Sequence, residues 1–168
     1  MRSKVLWIED GAMFEAQDFA GPVYNSRRYD LVIALNISDA VEELLKEEFD
    51  VVIVDIRMAP GDLPQWVKLY QNAGRNKIHA RLGLVLLHCL FCPNDIDIKL
   101  DLIPKWIHPN RFAVFTVETW QELKEHLVKC GIEEQSHRQK AAGMPVTALL
   151  ELIDSVKASL SRAGHPEG

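Results

Sequence analysis

Glu9, Asp10 and Asp55 are the residues whose types and spacing promise chemistry. Glu9-Asp10 directly follows the apolar run Val5-Leu6-Trp7-Ile8, and Asp55 directly follows Val51-Val52-Ile53-Val54. Runs that are apolar without alternation belong to strands covered on both faces, the condition of a parallel sheet lying between helices. Ligands bind such sheets outside the carboxyl ends of the strands, where these acids fall. With the two strands as neighbours, carboxylates about 5 Å apart repel by about 3 kcal/mol at an effective dielectric near 20. Such a cluster binds a cation, takes up protons or is held apart. An oxygen-rich site with few protein ligands and room for water suits Mg2+. Each acid also has a plain structural use: Asp10 or Asp55 can cap a following helix, and Glu9 can simply be solvated.

The elements that must position these acids alternate between strand and helix. Short apolar runs predict strands over Val5–Ile8, Leu31–Leu35, Val51–Val54, Leu82–Leu87 and Phe112–Phe115. Helical spacing predicts a helix over residues 12–20 that ends or kinks at Gly21-Pro22, and another from an N-cap at Ser38 through Glu48. A third runs over Leu63–Asn72, and Thr119-Trp120-Gln121-Glu122 is a capping box that opens a fourth, ending at Lys129. The fold class expected is α/β, a doubly wound five-stranded parallel sheet of flavodoxin-like type with a C-terminal helical extension. Asp95–Leu102 alternates polar and apolar residues as a half-buried strand would, but Pro93 and Pro104 bracket it and the alternating element order favours a helix. Residues 1–130 form the expected domain, polar residues 131–145 a linker, and residues 146–162 a helix. That helix carries Val146, Leu149, Ile153, Val156 and Leu160 at heptad spacing, a seam that either docks on its own chain or joins two copies as a homodimer.

Composition narrows the function. The chain has 168 residues, 19 Lys and Arg against 24 Asp and Glu, and a net charge of -5. It therefore has no general attraction to phosphate backbones or anionic lipid, and neither nucleic acid nor a membrane is an expected partner. Three cysteines are an odd number, and the first apolar stretch is too short for a signal peptide, which points to a reduced, cytoplasmic setting.

Lys4-Val5-Leu6-Trp7-Ile8-Glu9-Asp10, Tyr29-Asp30-Leu31-Val32, Asp39-Ala40-Val41-Glu42-Glu43-Leu44 and Asp50 through Gly61 together resemble a response-regulator receiver domain of two-component signalling. The resemblance covers about residues 1–130 and is strongest up to residue 61. It implies a signalling module rather than an enzyme, with Asp55 accepting a phosphoryl group from a histidine kinase. It further implies that Glu9, Asp10, Asp55 and the backbone carbonyl of Arg57 hold Mg2+. Phosphoryl transfer depends above all on positioning and charge neutralisation, which a carboxylate beside a divalent ion supplies.

Two departures from the receiver pattern are expected. The family carries a Ser or Thr after the fourth strand, where the run Leu82–Leu87 leads into His88 and Cys89, and a Lys after the fifth, where Phe115-Thr116-Val117 stands. Arg57, His88 and Thr116 are then the candidates for switch or charge-compensating residues. A pseudo-receiver, a protein-interaction module that is not phosphorylated, is the competing reading. A phosphate-ester hydrolase fits less well, because Asp55-Ile56-Arg57 lacks the second aspartate of the common aspartate-nucleophile phosphatases.

Cys89-Leu90-Phe91-Cys92, with His88 before it, has the spacing of a redox pair or of half a zinc site. A closed zinc site needs a fourth ligand, and Cys130, His79 and His108 stand isolated in sequence, so ordinary buried cysteines are expected.

Overall fold

The computed structural model describes residues 1–164. Five parallel strands form one sheet: β1 (Ser3–Ile8), β2 (Tyr29–Ala34), β3 (Val51–Val54), β4 (Phe112–Thr116) and β5 (His137–Gln139), in the order β2-β1-β3-β4-β5. Among the described residues seven α-helices accompany them: α1 (Ala20–Ser26), α2 (Ile37–Lys46), α3 (Pro64–Asn72), α4 (Lys77–Ala80), α5 (Leu82–Phe91), α6 (Trp120–Lys129) and α7 (Ala148–Ala163). Strand residues alternate between two cores. Leu6, Ile8, Val52, Val54, Phe112 and Val114 face α2, α5 and α6, while Val5, Trp7, Val51, Ile53, Ala113 and Phe115 face α1 and α7. Burial on both faces is what makes these strands read as continuous apolar runs. β1 pairs with β3 so that Ile8 lies beside Val54, which sets Glu9 and Asp55 level at the carboxyl edge.

Several elements differ from expectation. Leu82–Leu87 is not a strand but the first part of α5. Leu82, Leu84, Leu86, Leu87, Cys89 and Leu90 are all buried, so this helix is apolar all round, and a helix buried that way shows no amphipathic period. The sheet keeps five strands because His137–Gln139, within the expected linker, pairs with β4 as the edge strand. Residues 131–145 thus supply a strand of the sheet, and α7 packs Leu149, Leu152, Ile153 and Val156 against the sheet and α1. Of the heptad-spaced seam, Leu149, Ile153 and Val156 are buried within their own chain, while Leu160 is half-buried and Val146 exposed.

Smaller corrections have local causes. Residues 12–16 form turns rather than a helix, and α1 begins beyond them, with Pro22 in its first turn where a missing N–H costs nothing. The N-cap of α2 is Asn36, whose side chain accepts from the Asp39 N–H. Ser38 instead donates to the Pro60 carbonyl at 2.6 Å and accepts from Leu63 N–H at 2.9 Å, tying the loop after β3 to α2. Asp95–Leu102 is neither helix nor strand beyond the 3-10 turn Pro93–Asp95. Ile96, Ile98 and Leu100 still pack on the core, and the Cys89 thiol meets the Ile98 carbonyl at 3.6 Å. The α3 span and the Thr119–Glu122 capping box match expectation.

Candidate functional site at the carboxyl edge of the sheet

β1 and β3 deliver three carboxylates to one point. Oxygens of Glu9, Asp10 and Asp55 all lie within 4.8 Å of one another. Glu9 and Asp55 are buried, at 3% and 6% exposure, so their repulsion is only partly screened. Burial, and then the neighbouring Asp55, holds the Glu9 carboxyl above its ordinary range, while Lys140 works in the opposite direction. The Gly11 N–H donates to Glu9 Oε1 at 3.0 Å and fixes the side chain.

Two ammonium groups hold the cluster together. Lys140 follows β5 directly, and its Nζ pairs with Glu9 Oε2 and lies 3.3 Å from Asp55 Oδ2. It also sits 5.3 Å above the Phe115 ring. Lys77, the first residue of α4, bonds Asp10 Oδ2 at 2.7 Å, an oxygen that also accepts from Ala59 N–H at 3.2 Å. The bond to Asp10 raises the affinity of Lys77 for its proton, and the charges of Asp55 and Glu9 add to this. Lys77 lies between expected elements with no periodic signal of its own, and Lys140 lies in the stretch that reads as a polar linker.

Thr116 is the last residue of β4 and fully buried. Its carbonyl accepts the Lys140 N–H at 2.7 Å, so the β4–β5 ladder joins the hydroxyl-bearing residue to the lysine. Among the described residues, Thr116 Oγ1 and Asp55 Oδ1 are both buried without a hydrogen-bond partner. Because β4 is the fourth strand of the sheet and β5 the fifth, Thr116 stands at the end of the fourth and Lys140 follows the fifth. In the sequence these strand ends read as His88 and Phe115-Thr116-Val117, because Leu82–Leu87 counts there as a strand.

The other two candidates are engaged elsewhere. Arg57 Nε bonds the buried Glu118 Oε2 at 3.2 Å rather than reaching Asp55, and Arg81 shares the same carboxylate. His88 lies within α5, with Nε2 3.1 Å from His126 Nδ1, in a cleft separate from the acids. Cys89 faces the core and Cys92 does not pair with it; burial pushes the Cys89 thiol up to about 12.

A pocket of about 350 Å³ opens over the acids, lined by Glu9, Asp10, Asp55, Arg57, Lys77 and Lys140 among others. Hard carboxylate oxygens, one of them buried and unpartnered, fit a small divalent cation such as Mg2+.

No protein-family model matches this sequence, and no curated protein matches it. Solved structures do. The receiver domain of the Francisella response regulator 1452 is similar at 18% identity, with a TM-score of 0.58 over 96% of this chain and 99% of that one. The chemotaxis response regulator CheY4 of Vibrio cholerae is similar at 17% identity and a TM-score of 0.57, over 93% of this chain and 99% of the other. This is the receiver fold. A response regulator from Burkholderia pseudomallei, solved with a phosphorylated aspartic acid, a calcium ion and citrate, matches at 19% identity, with a TM-score of 0.51 over 98% of this chain and 75% of that one. Relative to the element order expected from the sequence, this example of the receiver fold carries three helices and an irregular stretch, residues 64–108, between β3 and β4.

Proposed function

We propose that the chain is a phospho-accepting receiver, a signalling switch in which Asp55 takes a phosphoryl group from a histidine kinase or another phosphodonor protein. The observation that carries this reading is Lys140 Nζ between Glu9 and Asp55, at the edge where Thr116 ends β4. Glu9, Asp10, Asp55 and the backbone carbonyl of Arg57 would hold Mg2+, which when bound supplies charge neutralisation.

The residues of the chain do the rest. An Asp55 carboxylate oxygen attacks the phosphorus of the donor, and the bond from phosphorus to the donor nitrogen or oxygen breaks. The electron pair leaves with the donor, and Asp55 becomes an acyl phosphate. The added group carries roughly two negative charges where the carboxylate carried one. Lys140 pairs with this charge, and Thr116 Oγ1 donates a hydrogen bond to a phosphoryl oxygen. That bond gives the buried hydroxyl a partner in the phosphorylated state only, so it favours a shifted β4 end in that state. The signal then leaves through protein contacts.

A second reading, a pseudo-receiver that binds partners without phosphorylation, is favoured by Lys77, whose ammonium already neutralises Asp10. Incubation with acetyl phosphate and Mg2+ followed by intact-mass measurement separates the two. A phosphoryl adduct on the wild type and none on Asp55→Asn supports the switch; no adduct on either supports the pseudo-receiver.

A further inference from the structure

The chain contains a second constellation, away from the acids, built from two copies of one spacing. His88 and Cys92 are four residues apart at the end of α5, and His126 and Cys130 are four residues apart at the end of α6. Each cysteine is the C-cap of its helix. Spacing of four puts both side chains on one helical face, and α5 and α6 lie on the same side of the sheet, so the two pairs meet. One ligand atom each from His88, Cys92 and Cys130 lies within 4.8 Å of the others. His126 Nδ1 stands 3.1 Å from His88 Nε2.

We propose that these residues form a zinc site, with His88, Cys92 and Cys130 as three ligands and His126 as the fourth. Two imidazoles and two thiols are the donor set of tetrahedral zinc. At zinc's usual bond lengths, ligand atoms are about 3.3 to 3.8 Å apart, so the two nitrogens already stand near one edge. Rotations of the half-exposed Cys92 and the exposed His126 close the remaining distance.

Three further observations fit a cation here. The His88 side chain is nine-tenths buried, and its other ring nitrogen, Nδ1, lies 3.9 Å from Asp95 Oδ2, a carboxylate beside the non-ligating nitrogen as zinc-bound histidines commonly have. Two helix C-termini, each the negative end of its dipole, converge on the site. Cys92 and Cys130 present their sulfurs to the same point, and as zinc ligands both would be thiolates, whose two charges need a counter-charge. A divalent ion cancels both, while Lys129 and Asp95 cancel each other at 3.0 Å. The site borders a cleft of about 540 Å³ lined by His79, His88, Asp95 and His126, which gives the ion a way in. Bound metal would fasten the irregular segment after α5 to α6, on the side of the sheet remote from α7.

Titration of reduced, metal-free full-length protein with Co2+ tests this. One Co2+ per chain should bind with a thiolate-to-cobalt charge-transfer band, which Zn2+ then removes. Cys92→Ser and Cys130→Ser should each weaken binding by more than about 100-fold, since even groups that only orient metal ligands contribute about 10- to 100-fold. Asp55→Asn should leave the band intact, separating this site from the acids. Absence of the band in reduced wild type would overturn the proposal, whatever the variants do. So would a band that survives Cys92→Ser, or a Cys92–Cys130 disulfide in a chain whose reduced form takes up no metal.

Discussion

At the scale of single residues, charge balance separates the groups that act on Asp55 from those that only stand near it. Lys140 touches both buried acids, whereas Arg57 is committed to Glu118. Lys140→Ala should therefore slow acetyl-phosphate labelling by about 10- to 100-fold, the value of one charge-assisted hydrogen bond. Arg57→Ala should leave that rate unchanged; a rate that falls with Arg57 and not with Lys140 would reverse the assignment. The three acids were legible in sequence because each follows an apolar run, and that pattern depends on two residues' spacing alone. Lys140 was not, because the three strand residues before it, His137-Arg138-Gln139, are polar and carry no period. Its place became readable only through the pairing of Val114, Phe115 and Thr116 with those residues. The same limit applies to the proposed zinc ligands: Cys130 reads as isolated in sequence although His126 stands four residues before it, and only the approach of α5 to α6 gives the repeated spacing a meaning.

At the scale of elements, α5 and α7 decide the geometry of the edge. α5 begins against the backbone of β3's end. Gly83 N–H donates to the Ile56 carbonyl at 3.0 Å, and a Cβ at Gly83 would fall 1.8 Å from the Asp55 carbonyl oxygen. Gly83→Ala should thus cost at least about 3 kcal/mol in urea unfolding, the upper end of ordinary overpacking, because backbone cannot yield as a side chain would. A loss below about 1 kcal/mol would mean that α5 does not press on Asp55. The misread of α5 has a physical cause: a short apolar run fits a buried strand or a buried helix equally by period. Its length was the available signal, since apart from Gly83 and His88 the residues of Leu82–Phe91 stay apolar over 10 positions, longer than the five or six most common for a strand.

α7 is fixed to the opposite face partly by Asp154, which accepts from Tyr29 OH at 2.6 Å and from both terminal nitrogens of Arg28 at 2.8 and 2.9 Å. Burial, then the bond to Asp154, raises the Tyr29 phenol from 10.0 to about 12. The folded state therefore holds that proton more tightly than the unfolded one. Its stabilisation is complete below pH 10 and is lost as pH rises to about 12. In denaturant titrations across that window, wild type should lose its advantage over Tyr29→Phe; a difference that does not change with pH would show that the phenol is not held in this way.

At the scale of the whole molecule, the sheet is a frame that converts strand order into chemistry. The order β2-β1-β3-β4-β5 places β1, β3, β4 and β5 side by side, so residues from positions 9 to 140 meet at one edge. The neighbouring of β1 and β3 was legible from their shared strand-then-acid pattern, whereas beyond residue 61 a buried helix and a polar edge strand imitate other elements. A cation that binds only the assembled edge must stabilise the fold. Mg2+ at about 100 times its dissociation constant should add about 2.7 kcal/mol, which for a domain of this size raises the melting temperature by roughly 5–10 °C. Asp55→Asn, which removes one of the proposed ligands, should shrink that shift. The most direct measurement remains the time course of the phosphoryl adduct by intact mass, with acetyl phosphate and Mg2+, on wild type and Asp55→Asn. A single adduct that accumulates on wild type and never on Asp55→Asn is the predicted result. An unmodified wild type, or an adduct that persists without Asp55, would contradict the account.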